Sequence, residues 1–427
     1  MKRLFFLLLL TTVSLSAQTL DQRIDRVMPG LLETYRTLHA NPELSTQEAK
    51  SSALVAKQLR EYGYEVHERV GKYREPDTTS YGVVALLRNG DGPVVLVRSD
   101  MDALPVTEQT GLPFASTNPG VMHACGHDLH MTALLGTAKM LADTKAQWRG
   151  TVMLIGQPAE EIVRGADAML RDGLYDRFPR PDFALALHDV PVLEAGKIGY
   201  VPGYIMAGSD SINITVRGIG GHGAAPHTTK DPVVLASETV MALQTIVSRE
   251  RNPLDPVVLT VGMIQGGTKR NIIPDEVKLY ATLRTFKPDV RQRILDSIER
   301  VAKGVALTAG VPADRMPIVE LLQNESVAPT YNDPEFTERL ATALRGSLGE
   351  TNVAQLDPMM VSEDFGRFAL DRKIPSSLLF LGAADPAQLA AGTQAGLHSS
   401  KWAPLAEPAL RTGIKAMTTM VTELLKK

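Results

Sequence analysis

The sequence predicts an α/β protein: a central mixed sheet flanked by helices, carrying an inserted ferredoxin-like α+β domain. Three observations predict it. Short apolar runs alternate with stretches of helical period in the first half of the chain, the pattern of a layered unit with much parallel pairing. The middle of the chain reads β-α-β-β-α-β, the order of a split βαβ fold. Helix and strand patterns then resume from residue 334 onward, as if an interrupted unit were being completed.

The opening residues, MKRLFFLLLLTTVSLSAQT, stand apart from this plan. Lys2 and Arg3, an apolar run from Leu4, and small residues at Ser14, Ser16 and Ala17 have the layout of a secretory signal peptide over residues 1–17. The run is shorter than the roughly 20 residues a membrane span needs. The expectation is an exported protein, periplasmic or secreted, that starts near Ala17 or Gln18 and keeps no stable membrane association after cleavage.

The elements then follow in order. Residues 23–62 have helical spacing through LLETYRTLHA and ALVAKQLREYG. YGVVALLRNG, PVVLVRSD, GTVMLIGQPAEE and PDFALALHDV read as buried strands. LHMTALLGTAKMLADT and GADAMLRDGLY read as the helices between them. In the middle, DSINITVRG, VVLTVGMIQGG, EVKLYATLRTF and MPIVELLQ read as strands. VVLASETVMALQTIVSRE and VRQRILDSIERVAKGVALTAG read as helices. The expected division is a catalytic domain over residues 18–208 and 326–427, with a lid or dimerisation domain over 209–325.

Bulk properties narrow the function. Hydrophobic residues make up 44% and charged residues 22%, an ordinary globular balance. A net charge of −3 gives no basic footprint, so no nucleic-acid partner is expected.

The chemistry gathers around one cysteine. Cys125 is the only cysteine of the chain and lies in MHACGHDLHMTALLG beside His123, His127 and His130. In an exported protein a thiol without a disulfide partner is buried and inert, intermolecular, or metal-bound. Thiolate and imidazole are good donors for zinc and related ions. The two-residue spacing of Cys125 and His127 suits a loop leading into a helix from Leu129, with Gly126 allowing the bend. Of the other two histidines, one could orient a ligand through a hydrogen bond.

Three strand runs end in polar residues: Asp100 and Asp102 after PVVLVRS, Glu160 and Glu161 after TVMLIGQPA, and His188 in FALALHDV. Sites of open α/β sheets lie beyond the carboxyl ends of the strands, so these groups can converge there. Of two adjacent glutamates, one can bind a metal while the other handles the proton of a water, a division suited to metal-assisted hydrolysis. His398, in GLHSSKW, is a further candidate ligand.

With these residues in view, the chain resembles the dinuclear metallopeptidases that include aminoacylases, hippurate hydrolases, indoleacetyl-amino-acid hydrolases and glutamate carboxypeptidases. Within them it is most similar to the N-acyl-amino-acid amidohydrolases. LHANPELSTQE, RSDMDALPVTE, MHACGHDLH, GQPAEE, GHGAAPH, GGTKRNIIPDE, VSEDF and LHSSKW carry the resemblance over residues 38–402. It implies two divalent metal ions per chain, zinc or manganese, with cobalt and nickel also open. It implies that Cys125 bridges them, that His127, Glu161, His188 and His398 are the other ligands, and that Glu160 is the general base and acid. It further implies that His222 stabilises the oxyanion, reaching a partner subunit's site in a homodimer built through the inserted domain. Asn271 and Arg284, with the Gly267–Thr268 loop beside them, would hold the substrate carboxylate, and Asp102 would orient a ligand. Other branches have His-x-Asp in place of Asp100-Met101-Asp102 and an Asp in place of Cys125, which leaves the native metal open.

The expected reaction is hydrolysis of the amide of an N-acyl amino acid. A metallo-carboxypeptidase or dipeptidase acting on short peptides is the alternative within the same class. A non-catalytic periplasmic metal or acyl-amino-acid binding protein is a rival from another class, disfavoured because binding needs no spare carboxylate at Glu160. A cysteine nucleophile paired with His127 is disfavoured by the tight spacing of the two.

Overall fold

The structure, a computed structural model, describes residues 18–426; the signal-peptide reading of residues 1–17 lies outside the described residues. The large sheet has eight strands. Its centre is four parallel strands in the order Gly150–Gln157, Val94–Asp100, Phe183–Glu194, Ser376–Ala384. Val83–Asn89 and Glu65–His67 extend one edge antiparallel. Ile198–Tyr200, antiparallel to Ser376–Ala384, and Val353–Gln355 extend the other. The central strands are buried on both faces, which is why their sequences are unbroken apolar runs.

The order of these strands creates the site. From Val94–Asp100 the chain crosses through helix His127–Asp143 to its neighbour Gly150–Gln157. It then returns over Val94–Asp100 to Phe183–Glu194 by way of the short helices Gly165–Arg171 and Leu174–Arg177. The two crossovers pack into different hydrophobic clusters on opposite faces of the sheet. A reversal of this kind opens a crevice at the carboxyl edge. Helix His127–Asp143 is buried almost all round, between the sheet and helices Leu20–Ala40 and Ala406–Leu424.

The second sheet has four antiparallel strands in the order Val257–Gly266, Glu276–Thr285, Gly208–Arg217, Ile318–Leu321. Gly208–Arg217 alternates buried and half-buried residues along its whole length. Its apolar face is covered by helices Pro232–Thr245 and Pro288–Thr308, and this one-sided burial explains the alternation. The two connections to the large sheet run side by side, with Ser209 and Val327 exchanging both backbone hydrogen bonds.

Two local expectations need correction. His127 is the first residue of its helix rather than part of the loop before it. The strand carrying His188 runs on to Glu194, because pairing with Ser376–Ala384 continues past the apolar run.

Candidate active site

Asp102 organises the crevice. Just past the Val94–Asp100 strand, its main-chain oxygen lies 2.8 Å from His127 Nδ1. That contact makes Nδ1 the protonated nitrogen and leaves Nε2 with a free lone pair. The Asp102 carboxylate accepts the amides of Glu160 and Glu161, each at 3.0 Å, and the Ser45 hydroxyl at 2.6 Å. One carboxylate thus ties together the first helical hairpin, the strand end and the two glutamates.

Cys125 precedes Gly126, which caps the helix at φ 72. A Cβ at Gly126 would fall 2.4 Å from the Asp189 carboxylate, so neither the backbone angle nor the space admits a side chain. This tight turn points Cys125 Sγ toward His188 Nε2, 3.7 Å away. His188 Nδ1 lies 2.8 Å from the Asp189 main-chain oxygen, which turns Nε2 inward. His398 sits at φ 63, a strained angle for a non-glycine residue, and its Nε2 lies 3.5 Å from Glu161 Oε2.

These side chains form two donor sets that share the thiol. Cys125, His127 and His188 form one; Cys125, Glu161 and His398 form the other, and within each set the donor atoms lie within 4.8 Å of one another. His127 Nε2 and Glu161 Oε1 are buried with no hydrogen-bond partner among the described residues. Buried polar atoms of this kind call for a partner, and soft sulfur with imidazole and carboxylate suits a pair of divalent cations.

The electrostatics agree. Burial, then Glu161 and Asp189, push the Cys125 thiol well above its usual range. Burial raises Glu161 to about 7 against the opposing pull of His127. Burial would lower His127, but Asp100 and Asp102 outweigh it and raise the imidazole to about 10. A cation reverses all three tendencies, because its charge favours thiolate, carboxylate and neutral imidazole. Glu160 is buried, and its carboxyl is raised by burial and then by Glu363 and Glu161.

Cys125, Glu160, Glu161, His188 and His398 line a cavity of about 720 Å³ between the two sheets. Arg284 enters from strand Glu276–Thr285 of the second sheet. It bonds to Ser362 Oγ at 2.7 Å and to no carboxylate among the described residues. Much of the remaining wall is apolar, including Val190, Met206, Met359, Val361 and Leu397.

Other expected residues lie elsewhere. His222 and Asn271 are exposed neighbours, joined through the His222–Ile272 pairing and the bond from the Gly223 amide to the Asn271 oxygen. They sit beyond the far end of the Glu276–Thr285 strand, on the order of 30 Å from Arg284 at 3.4 Å per residue. His227 is also exposed there. Trp402, in the same motif as His398, is fully buried in the main hydrophobic core. His123 is buried, with neither nitrogen hydrogen-bonded among the described residues.

Behind the site lies a network the sequence reading did not assign. Arg98, fully buried, bonds to Gln157, Asp100, Glu363 and Asp364, with Glu363 engaged by both guanidinium ends. Asp100 continues to His130 at 2.7 Å, and His130 meets Asp189, whose amide points at Nε2 from 2.8 Å. An arginine inside PVVLVRSD was the available signal, since a charge in a two-sided buried strand needs partners.

The sequence profile of peptidase family M20/M25/M40 matches residues 96–423. The chain is 38% identical to the hippurate hydrolase of Campylobacter jejuni, over 80% of this chain and 85% of that protein. It is 37% identical to the N-acetyl-L-cysteine deacetylase of Bacillus subtilis, over 82% of this chain and 80% of that protein. A dinuclear metal-binding M20 peptidase from Bacillus subtilis superposes with a TM-score of 0.75 at 29% identity. That alignment covers 94% of this chain and 99% of the other.

Proposed function

Because the chain belongs to peptidase family M20/M25/M40, it is a metal-dependent amidohydrolase, and we propose that it cleaves N-acyl amino acids as an exported homodimer. The observation that carries this substrate reading is Arg284. A guanidinium that faces a cavity without an acidic partner is a site for a ligand carboxylate. Among the described residues no carboxylate lines the cavity apart from Glu160 and Glu161, so nothing described there matches the ammonium of a free dipeptide. The valine and methionine wall suits a bulky apolar acyl group better than acetyl.

Cys125, His127 and His188 would hold one divalent cation, and Cys125, Glu161 and His398 the other. Bound there, the ions supply Lewis-acid charge that acidifies water and polarises an amide carbonyl. Zinc or manganese suits this donor set, with cobalt and nickel as alternatives. Glu160 removes the proton of the attacking water and returns it to the leaving nitrogen. Asp102 keeps Glu160 and Glu161 aimed while this happens. The partner subunit's His222 hydrogen-bonds the developing oxyanion, and the partner subunit's Asn271 helps hold the carboxylate. Exposed Val234 and Met241 on the lid helix, and Met263 and Ile264 on the lid's edge strand, support association through that domain.

The test is amine release from N-benzoyl and N-acetyl amino acids and from free dipeptides, with Glu160→Gln as control. Turnover of the acylated substrates, benzoyl above acetyl, supports the reading. Preference for free dipeptides would move the assignment to a dipeptidase.

A further inference from the structure

The loop that carries Glu160 and Glu161, residues 158–164, has no regular structure, yet its backbone is held in detail. The amides of Arg164 and Gly165 both bond to the Ala159 oxygen, and the amide of Val163 bonds to the Glu160 oxygen. At Gly165 a Cβ would fall 1.6 Å from the Pro158 oxygen, so the loop closes on itself at that point. Ala159 lies at φ 52, a left-handed angle that costs a non-glycine residue about 1 kcal/mol or more. Its amide, with those of Glu160 and Glu161, makes a run of three successive donors pointing out of the loop.

Two buried carboxyl groups take all three. Asp102 accepts the second and third, as described. Glu48 accepts the first: its Oε1 lies 2.8 Å from the Ala159 amide and 2.9 Å from that of Thr46. Glu48 is fully buried at the start of helix Ala49–Glu61, but its side chain makes no cap bond to that helix. Glu43 does that work instead, accepting the amides of Lys50 and Ser51. The Glu48 side chain is therefore committed to the loop. Ser45, three residues earlier, reaches the second carboxylate, Asp102.

We propose that Glu48 is a positioning residue for the hydrolysis: its carboxyl group holds Ala159 in the left-handed conformation and so, with Asp102, sets the aim of Glu160 and Glu161. Without that acceptor the Ala159 amide is left buried and unpaired. Ala159 then relaxes to an ordinary backbone angle, and the two carboxylates it precedes turn away from the cavity. The inference rests on the assignment of Glu160 and Glu161 made above.

The experiment compares Glu48→Ala and Glu48→Gln with the unaltered holoenzyme. Glutamine keeps an acceptor oxygen in the same place, and burial and Asp102 already raise the Glu48 carboxyl to about 8. Glu48→Ala is expected to lower kcat by about 10- to 100-fold, the usual effect of removing a group that orients a metal ligand. KM is expected to change little, one metal ion is lost on dialysis, and hydrogen-exchange protection disappears at the amides of residues 159–161. Glu48→Gln is expected to restore kcat, metal content and protection. If Glu48→Ala does not fold, Glu48→Asp, whose carboxyl is withdrawn by one methylene, takes its place with the same expectations. Lost protection with unchanged kcat and metal content would overturn the proposal, and so would a Glu48→Gln enzyme as impaired as Glu48→Ala. Exchange is read on the resting protein, so it stands apart from the reaction assignment; turnover that survives Glu160→Gln would sink that assignment instead.

Discussion

Cys125 Sγ and His188 Nε2 lie 3.7 Å apart although 63 residues separate them in the chain. The thiol is the donor common to the Cys125–His127–His188 set and the Cys125–Glu161–His398 set at the sheet edge. Removing it should therefore empty both sites, not one. Cys125→Ala is expected to lose both ions on dialysis, together with activity, while its circular dichroism is unchanged. Cys125→Asp is expected to keep two ions and to shift preference from zinc toward manganese, because a carboxylate is the harder donor. A metal-replete, active Cys125→Ala enzyme would refute the shared-ligand reading.

In the proposed mechanism Glu160 separates proton transfer from metal binding. It belongs to neither donor set, whereas Glu161 belongs to one. Glu160→Gln should keep metal content and substrate affinity and lose kcat by about 10²- to 10⁴-fold, the range for a general acid–base group. Glu161→Gln should lose metal first. Metal analysis beside steady-state kinetics distinguishes the two.

Arg284 should act on binding more than on chemistry. Arg284→Met leaves the substrate carboxylate facing an apolar wall, so KM for an N-acyl amino acid is expected to rise by at least about tenfold, the value of roughly 1.5 kcal/mol for a charged hydrogen bond. Against the matching N-acyl amino amide, which lacks the carboxylate, mutant and unaltered enzyme should perform alike. A mutant equally impaired on both substrates would mean that Arg284 serves the structure of the second sheet instead.

The fold was legible because its layers differ in period. Two-sided burial wrote unbroken apolar runs into Val94–Asp100 and Gly150–Gln157, while one-sided burial wrote alternation into Gly208–Arg217. The candidate ligands were legible because Cys, His and Glu stand out at the ends of apolar runs. Arg98, Glu363 and Asp364 were harder, since their partners lie up to 266 residues away and no local spacing pairs them. Glu48 was harder still: its position before a helix reads as a cap, and only the folded loop shows which amide it serves. Neither the left-handed Ala159 nor the left-handed His398 follows from local sequence, because tertiary contacts impose those angles.

Away from the candidate metal ligands, His39 gives a pH dependence with a defined sign. It is buried, with Nδ1 2.7 Å from Asp128 and Nε2 3.1 Å from Glu108. Burial disfavours the charged imidazole, but the two carboxylates outweigh it and raise the group from 6.5 to about 9. The folded chain therefore keeps a proton that the unfolded chain releases near pH 6.5. This stabilisation is complete below pH 6.5 and is lost as pH rises through 9. It amounts to about 3 kcal/mol at 1.36 kcal/mol per pH unit. The stability difference between the unaltered protein and His39→Gln should shrink by that amount between pH 6 and 9.5 in urea titrations. A constant difference would mean that His39 is neutral in the fold.

His222 gives the sharpest test of assembly. It lies with Asn271 at the end of the second sheet away from Arg284, too far to reach its own cavity by a local adjustment. If it serves the other subunit of a two-fold dimer, Glu160→Gln and His222→Ala are each inactive for reasons located in different chains. A mixed dimer then has one site that pairs an intact Glu160 with an intact His222, and one site lacking both. Random reassociation of equal amounts makes half the dimers mixed, so about a quarter of the sites should recover. Recovery near that level, from two preparations inactive alone, requires the residue to act across the interface. No recovery, with exchange of subunits verified by native mass spectrometry, would confine His222 to its own chain and remove it from the reaction.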